Sequence, residues 1–170
     1  MRVLLVKMSS LGDVIHALPA VTDAAAHGIE FDWVVEEAFA DIPARHPAVA
    51  SVIPIGWRRW RRALVANRRE AWDFVSRLRS RQYDLVLDAQ GLVKSGVVAG
   101  LARGRAKAGL SPQAAREGAA ALFYERRFQI PTGQHAVDRV RQLFASALGY
   151  SLTDGVDFGI TQAGADGVPD

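Results

Sequence analysis

The sequence contains no cysteine, so disulfide bonds, thiolate metal sites and a cysteine nucleophile are excluded together. Long hydrophobic runs are also missing, and no stretch approaches the roughly 18 apolar residues that a membrane-spanning helix needs. The opening MRVLLVK is soon interrupted by Ser9, Ser10, Gly12 and Asp13, and is too short for the apolar part of a secretory signal. These absences predict a cytoplasmic protein that at most touches a membrane surface.

Lysine is scarce as well, because three of the 21 basic residues are lysines and the remaining 18 are arginines. The planar guanidinium of arginine can form two parallel hydrogen bonds with a carboxylate or a phosphate. The bias therefore favours an anionic partner, although a GC-rich genome would produce the same bias without any function. The 170 residues, 49% of them hydrophobic and with a net charge of +3, fit one soluble globular domain.

Short β-branched runs alternate along the chain with longer helical patterns, as they do in βαβ units. Strands are predicted at 3–6, 31–35, 51–55 and 85–88, and more weakly at 106–110, 127–130 and 156–160. Helices are predicted at 13–27, 68–81, 92–102 and 135–148, the last ending at Gly149. The predicted fold class is α/β, with an open, doubly wound, mainly parallel sheet of the Rossmann-like kind. Residues 1–160 should form this domain, and the small and polar residues 161–170 a linker.

The loop KMSSLGD follows the first predicted strand and opens a helix near Asp13. Ligands of doubly wound sheets gather at the carboxyl ends of the strands, where helix N-termini favour anions. Asp13 is expected to be ionised there, and it could take a proton from a substrate hydroxyl as a general base. The alternative is that Ser10 or Asp13 only caps the helix. With one glycine and no GK[ST], the loop is neither a dinucleotide fingerprint nor a P-loop.

The segment WRRWRR places four arginines beside two tryptophans, namely Arg58, Arg59, Arg61 and Arg62 with Trp57 and Trp60. Like charges at this density repel unless they are solvated or meet an anion, and indole rings offer flat surfaces for a sugar, a base or a lipid. The segment could be a solvated helix face, or it could bind phosphate or carboxylate groups, nucleic acid, or an anionic membrane.

A third segment, DLVLDAQGLVKSG, places Asp88, Gln90 and Lys94 after a strand that looks buried. These residues would share an edge with Asp13 if the two strands are parallel neighbours. Gly91 could instead serve only to turn the chain, and Lys94 only to pair with Asp88.

Two further polar residues, Arg116 and His135, precede helical stretches. Lone residues of this kind are more often structural than functional. The histidines show neither HxH nor HExxH spacing, so no zinc site is predicted.

Three segments resemble the bacterial heptosyltransferases that build the inner core of lipopolysaccharide, most closely the heptosyltransferase I branch. They are MRVLLVKMSSLGDVIHALPAVTDA at 1–24, FDWVVEEAFADIP at 31–43 and DLVLDAQGLVKS at 84–95. The likeness continues through RRWRR, AREGAAALFY and QHAVDRVRQLFASALGY, and so covers nearly the whole chain up to Tyr150. The pattern S-S-x-G-D-x-x-H-x-L-P is its most specific part.

The resemblance implies the N-terminal, acceptor-binding half of a two-domain GT-B glycosyltransferase, which inverts the sugar carbon as it transfers heptose from ADP-heptose to Kdo-lipid A. Asp13 would be the general base. The acceptor would be bound by Ser10 and Gly12 of the loop, by the basic residues Arg58, Arg59, Arg61, Arg62, Lys94 and Arg116, and by His135 nearby. No cofactor or metal is expected. Peripheral contact with the cytoplasmic face of the inner membrane is expected, and binding of nucleic acid is not.

Chains of that family continue into a C-terminal donor-binding domain, which we expect to be absent from this sequence. The isolated chain should then bind acceptor weakly and transfer nothing measurable, because the leaving group is not held in line. Two other interpretations stay open. One is a basic α/β module that binds nucleic acid or an anionic membrane, and the other is a related heptosyltransferase, such as heptosyltransferase II, with a different acceptor.

Overall fold

The computed structural model describes residues 1–63 and 66–160. In these residues six strands form one sheet, and every neighbouring pair of strands is parallel. The strands are β1 (Arg2–Val6), β2 (Glu30–Glu36), β3 (Val49–Ile55), β4 (Leu85–Asp88), β5 (Lys107–Leu110) and β6 (Arg126–Phe128). Their order is β3-β2-β1-β4-β5-β6. The predicted open parallel sheet is confirmed, including the weaker strands at 106–110 and 127–130, whose ends shift slightly.

The helices of the described residues are α1 (Leu11–Ile15), α2 (Leu18–Ala25), α3 (Trp57–Trp60), α4 (Arg68–Arg79), α5 (Val93–Leu101) and α6 (Ala136–Leu148). Short 3-10 helices lie at Glu37–Phe39, Pro43–Arg45 and Gly118–Phe123. Because α2 and α6 pack on one face of the sheet and α4 and α5 on the other, the fold is doubly wound. Within residues 1–63 and 66–160, no helix combines the length and apolar character needed to cross a membrane.

The central strands are buried on both faces. In β1, Val3 and Leu5 point toward the face covered by α2 and α6, and Leu4 and Val6 point toward the opposite face. All four side chains are fully buried. A strand covered on both sides reads as a continuous apolar run, which is why β1 and β4 show no polar alternation.

The order of the strands opens a crevice between β1 and β4. After β3 the chain returns past β1 and adds β4 on its other side. The loops after β1 and β4 therefore leave toward opposite faces of the sheet, and ligands of such folds bind between them. Val6, the last residue of β1, pairs with Asp88, the last residue of β4, so the two loops begin side by side.

The helix predicted at 13–27 is divided into α1 and α2 by a turn at His16 and Ala17. Pro19 lies in the first turn of α2, and a proline ring clashes with the carbonyl group four residues earlier, which here belongs to Ile15. The proline therefore disfavours a continuous helix. Asp13 consequently belongs to a helix of only five residues.

The strand predicted at 156–160 is wrong, because this segment forms no strand. Val156 and Phe158 alternate with polar residues as in a strand, but their exposed fractions are 51% and 40%. Gly155 and Gly159 have φ angles of 94° and 64°, which interrupt an extended backbone. The linker predicted at 161–170 lies outside the described residues, and the assignment of 1–160 as an acceptor-binding domain stays a prediction.

Candidate active site

Gln90 fastens the loop after β1 to the loop after β4. Its Oε1 accepts hydrogen bonds from the backbone N–H groups of Met8 at 2.7 Å and Ser9 at 3.3 Å. Its Nε2 donates to the Ser9 carbonyl at 2.8 Å. All three residues are buried. The side chain of Gln90 therefore replaces the sheet hydrogen bonds that end at this edge, and it fixes the path of the chain toward Asp13.

Asp88 lies beneath this clamp and is fully buried. It accepts hydrogen bonds from the backbone N–H groups of Gln90 at 2.8 Å and Gly91 at 3.3 Å, and from the Tyr124 hydroxyl. Burial raises the pKa of Asp88 above its ordinary value, against the effect of these hydrogen bonds. Gly91 has a φ of 68°, as the proposed turn requires. Asp88 thus fixes the backbone of the loop after β4.

Lys94 reaches toward the loop after β1 rather than toward Asp88. Its Nζ donates to the Ser9 hydroxyl at 3.1 Å. The alternative prediction, that Lys94 only pairs with Asp88, is therefore not what the structure shows. Lys94 brings positive charge to the same edge of the sheet as Asp13.

Asp13 occupies the first turn of α1 and both caps the helix and faces the crevice. Its Oδ2 accepts hydrogen bonds from the Ser10 backbone N–H at 2.8 Å and the Ser10 hydroxyl at 3.1 Å. Ser10 is the N-cap residue, so the capping interpretation is confirmed for this pair. Asp13 also lines a cavity at the carboxyl edge of the sheet, with 29% of its side chain exposed. The two interpretations of this loop are compatible.

The surroundings of Asp13 keep its carboxylate ionised. Burial is the largest single influence and raises its pKa, but the hydrogen bonds from Ser10 and the positive charges of Lys7 and Arg116 together outweigh burial. The pKa of Asp13 therefore lies below its ordinary value. A carboxylate of this kind is available to accept a proton at neutral pH, although it is a weak base.

The cavity beside Asp13 has a volume of about 230 Å³ and lies where the loops after β1, β4, β5 and β6 meet. Its polar lining comes from Lys7, Asp13, His16, Gln90, Arg116, Thr132 and Arg139. Positive side chains therefore surround one carboxylate. Such a cavity suits an anionic ligand that also carries a hydroxyl group near Asp13.

Four of the polar lining residues were not predicted from the sequence, namely Lys7, His16, Thr132 and Arg139. Arg139 donates hydrogen bonds to the carbonyl groups of Pro131 at 3.1 Å and Ala114 at 3.0 Å, and so holds two cavity loops together. The signal for Lys7 was its place as the first residue of KMSSLGD. The signal for Arg139 was its place one turn after His135 in α6.

His135 lies next to the cavity but serves as the N-cap of α6. Its Nδ1 accepts the backbone N–H of Val137 at 3.3 Å. Its ring is 5.8 Å from the ring of His16, which does line the cavity. Gly12 is exposed on α1, and a side chain there would first meet His16 at 4.0 Å.

The four clustered arginines lie at the carboxyl end of β3, two strands away from β1. None of them lines the cavity of Asp13. Arg58 and Arg62 border one surface depression, and Arg61 borders an apolar one beside Trp57 and Trp60. The structure therefore brings Arg116 and Asp13 together, but it places the arginine cluster at a separate position on the same edge.

Arg59 is exposed but already paired with two carboxylates of the same chain. Its guanidinium forms ion pairs with Glu70 and with Glu37, the latter at 3.0 Å, and these partners raise its pKa. The Arg58 guanidinium lies 5.5 Å from the centre of the Phe39 ring. Arg61 and Arg62 are exposed. The cluster thus holds one arginine in a structural role and leaves others open to solvent.

Among the described residues, no group of three or more histidine, aspartate or glutamate side chains is arranged to hold a metal ion.

Residues 71–166 match the family described as glycosyltransferase family 9 (heptosyltransferase). Lipopolysaccharide heptosyltransferase 1 of Pseudomonas aeruginosa is 56% identical over 165 residues, which cover 94% of this chain and 46% of the relative. The protein of the same name from Escherichia coli K12 is 54% identical over 169 residues, covering 95% of this chain and 52% of the relative.

Solved structures give the same picture. E. coli heptosyltransferase WaaC with ADP matches with a TM-score of 0.91 and 52% identity, over 94% of this chain and 52% of that chain. The structure of E. coli ADP-heptose lps heptosyltransferase II matches with a TM-score of 0.65 and 18% identity, over 85% of this chain and 40% of that chain, and shows a shared fold. The chain spans about half the length of the relatives it matches.

Proposed function

Because the chain belongs to glycosyltransferase family 9, the heptosyltransferases, we propose that it forms the acceptor-binding half of an inverting enzyme that transfers L-glycero-D-manno-heptose from ADP-heptose to Kdo-lipid A. The single observation that carries this proposal is the half-buried carboxylate of Asp13 in a cavity lined by positive side chains. Identity of 52% with WaaC, which was solved with ADP and with ADP-2-deoxy-2-fluoro heptose, supports the same donor here.

In the proposed reaction, Asp13 is the general base. A hydroxyl oxygen of the acceptor forms a bond to the anomeric carbon of heptose, the bond from that carbon to the diphosphate oxygen breaks, and the hydroxyl proton passes to Asp13. ADP is a good leaving group, so the hydroxyl becomes acidic late, when a weak base suffices. Attack from the face opposite ADP inverts the anomeric carbon.

The acceptor is held by its negative charges. Arg116 lines the cavity of Asp13, and Lys94 reaches the Ser9 hydroxyl at the same edge of the sheet, so these two residues are the proposed partners for the carboxylates of the Kdo sugars. The arginine cluster follows β3, two strands from β1, which corresponds to roughly 10 Å across the sheet. This separation suits the more distant phosphates of lipid A, for which Arg58, Arg61 and Arg62 are the available partners.

We propose that ADP-heptose is bound mainly by the half of the longer protein that follows this chain, as the coverage of its relatives suggests. The 170-residue chain alone should then bind acceptor weakly and release no ADP. We also propose a cytoplasmic location, with peripheral contact between the exposed arginines and the inner membrane. Sedimentation with anionic vesicles should show salt-sensitive binding, and neutral vesicles should show none.

The test of the catalytic role is exchange of Asp13 for Asn in the longer protein. We expect kcat to fall about 100-fold or more, with little change in KM, because general base catalysis typically contributes that much. The matched control is Asp138→Asn, which changes an exposed carboxylate in the first turn of α6. Retention of activity by Asp13→Asn in an ADP-release assay would remove Asp13 from the mechanism.

The test of acceptor binding is exchange of Arg116 for Ala. We expect KM for the acceptor to rise roughly tenfold or more, because a charge-assisted hydrogen bond is lost. Arg103→Ala is the control, since Arg103 is exposed and precedes β5, at the amino ends of the strands and away from the cavity. Equal effects of the two substitutions would show that net charge, rather than the cavity, binds the acceptor.

The exposed Arg61 and Arg62 also allow a second candidate, a module that binds nucleic acid. Its affinity for a short duplex would fall steeply as the salt concentration rises. Capture of Arg59 by Glu37 and Glu70 reduces the charge available for such a role. A heptosyltransferase II acceptor is less well supported, since the matching structure is 18% identical against 52% for WaaC.

A further inference from the structure

The cavity contains a buried cation, Lys7, to which the proposed reaction assigns no role. Only 6% of this residue is exposed. Its Nζ donates a hydrogen bond to the Ala89 carbonyl at 3.0 Å and lies 3.8 Å from Oδ1 of Asp13. A buried ammonium group is costly unless a counter-charge compensates it. Asp13 supplies that counter-charge.

Lys7 is also held by contacts other than that with Asp13. Its backbone N–H donates to the Val34 carbonyl at 3.3 Å, and its carbonyl accepts the indole N–H of Trp33 at 3.0 Å. Both partners belong to β2, which is fully buried at these residues. The bond from Nζ to Ala89 then ties the side chain to the end of β4. Lys7 is a fixed positive charge rather than a mobile surface lysine.

The two oxygens of Asp13 have different surroundings. Oδ2 accepts both hydrogen bonds from Ser10, at 2.8 and 3.1 Å. Oδ1 lies 3.8 Å from Lys7 Nζ, which is longer than a hydrogen bond of about 2.7–3.2 Å. Lys7 therefore attracts Oδ1 without hydrogen bonding to it, so that Oδ1 keeps a lone pair for a substrate proton.

We infer that Lys7 is a positioning residue, which holds Asp13 ionised and turns its Oδ1 toward the acceptor hydroxyl, and this inference rests on the proposed function. In the transfer step the acceptor O–H bond breaks, the proton goes to Oδ1, and the oxygen keeps the electron pair that forms the new bond to heptose. The neutral Asp13 then no longer balances Lys7, which favours rapid loss of the proton to the open cavity.

Other charged and titratable groups lie around the same pair. They are Arg116 after β5, Arg139 on α6, His16 at the end of α1 and Asp88 at the end of β4. Burial lowers the pKa of Lys7, Asp13 and Asp88 oppose that effect, and Arg116 and Arg139 add to it. The hydrogen bonds from Ser10 and the positive charge of Lys7 both lower the pKa of Asp13.

The alternative is that Lys7 has only a structural role, through its bond to Ala89. Three substitutions in the longer protein distinguish this role from the positioning role. Lys7→Gln removes the charge but keeps an amide donor for Ala89, Lys7→Met removes both, and Lys7→Arg keeps the charge. We expect the acid limb of the kcat/KM profile to move to higher pH in Lys7→Gln and Lys7→Met, so that both lose more activity near pH 5 than near pH 8, where they stay within about threefold of the native enzyme. Lys7→Arg should stay within about threefold of the native enzyme at both pH values.

This pattern follows because loss of a nearby positive charge lets Asp13 take up a proton at a higher pH. The acid limb of the pH profile therefore moves upward, whereas KM for the acceptor stays within about threefold. A purely structural role would leave Lys7→Gln normal and would impair Lys7→Met equally at all pH values. That result would overturn the inference.

A second measurement is independent of catalysis and uses the 170-residue chain itself. The carboxyl carbon of Asp13 can be followed by NMR as a function of pH, with Asp13→Asn for its assignment. We expect Asp13 to titrate at a higher pH in Lys7→Gln than in the native chain. An unchanged titration would overturn the role of Lys7 and leave the transferase proposal intact, whereas absence of transfer by the native longer protein would overturn that proposal first.

Discussion

The clamp formed by Gln90 makes a quantitative prediction for both stability and catalysis. In Gln90→Ala, the Met8 and Ser9 N–H groups and the Ser9 carbonyl lose the partners that they have at 2.7, 3.3 and 2.8 Å. A buried polar group without a partner costs about 1–3 kcal/mol. Because the neighbouring cavity can admit water to some of these groups, we expect a total loss of about 2–4 kcal/mol.

For a chain of this size, each kcal/mol lowers Tm by about 2–4 °C, so the melting temperature should fall by roughly 5–15 °C. Urea unfolding of the 170-residue chain, followed by circular dichroism, measures the loss of unfolding free energy, and thermal unfolding measures the fall in Tm. Gln113→Ala is the matched control, because Gln113 is exposed in the loop after β5 and should change stability by less than about 0.5 kcal/mol.

The same substitution should lower kcat in the longer protein more than it raises KM. The loop after β1 carries Asp13, and a displacement of about 1 Å can cost about 100-fold in rate. Should Gln90→Ala and Gln113→Ala prove equally stable, the claim that Gln90 holds the loop would be refuted.

Two further predictions concern charged groups. Asp23→Ala should lower the free energy of unfolding by about 3–5 kcal/mol, because the buried Arg141 loses a partner at 2.6 Å. Urea unfolding measures this change, with the exposed Asp138→Ala as the control. Equal effects of the two substitutions would contradict the prediction. Folding lowers the pKa of Asp13, so its contribution to stability is present above the unfolded pKa of about 4 and is lost as pH falls through the folded value. The difference in unfolding free energy between native and Asp13→Asn chains should therefore be largest near neutral pH and shrink in acid, and a difference independent of pH would count against it.

The sheet and its active edge could be predicted because both depend on local sequence. Buried strands such as β1 and β4 read as short apolar runs, and the residues that follow them must lie at one edge when the strands are parallel. Asp13 and Lys94 are found in this way. The segment 156–160 shows the limit of the method, because an alternating pattern does not reveal that Gly155 and Gly159 adopt positive φ angles.

The charge partners could not be predicted, because they join distant segments. Arg59 looked available for a ligand, but Glu37 and Glu70 come from a 3-10 helix after β2 and from α4. Lys7 is the first residue of KMSSLGD, and its burial follows only from the meeting of β1, β2 and β4. Pairing across elements decides which basic side chains are free to bind an anion.

The shortness of α1 has a consequence for the catalytic cycle. The carboxylate that would take the acceptor proton is also the group that begins this five-residue helix. A neutral carboxyl group is a weaker acceptor than a carboxylate, so each turnover would briefly weaken the hydrogen bonds from Ser10 to Asp13. The protonation of Asp13 and the order of the loop would therefore be coupled. A chain in which Asp13 stayed protonated would also lose the loop geometry needed for the next acceptor.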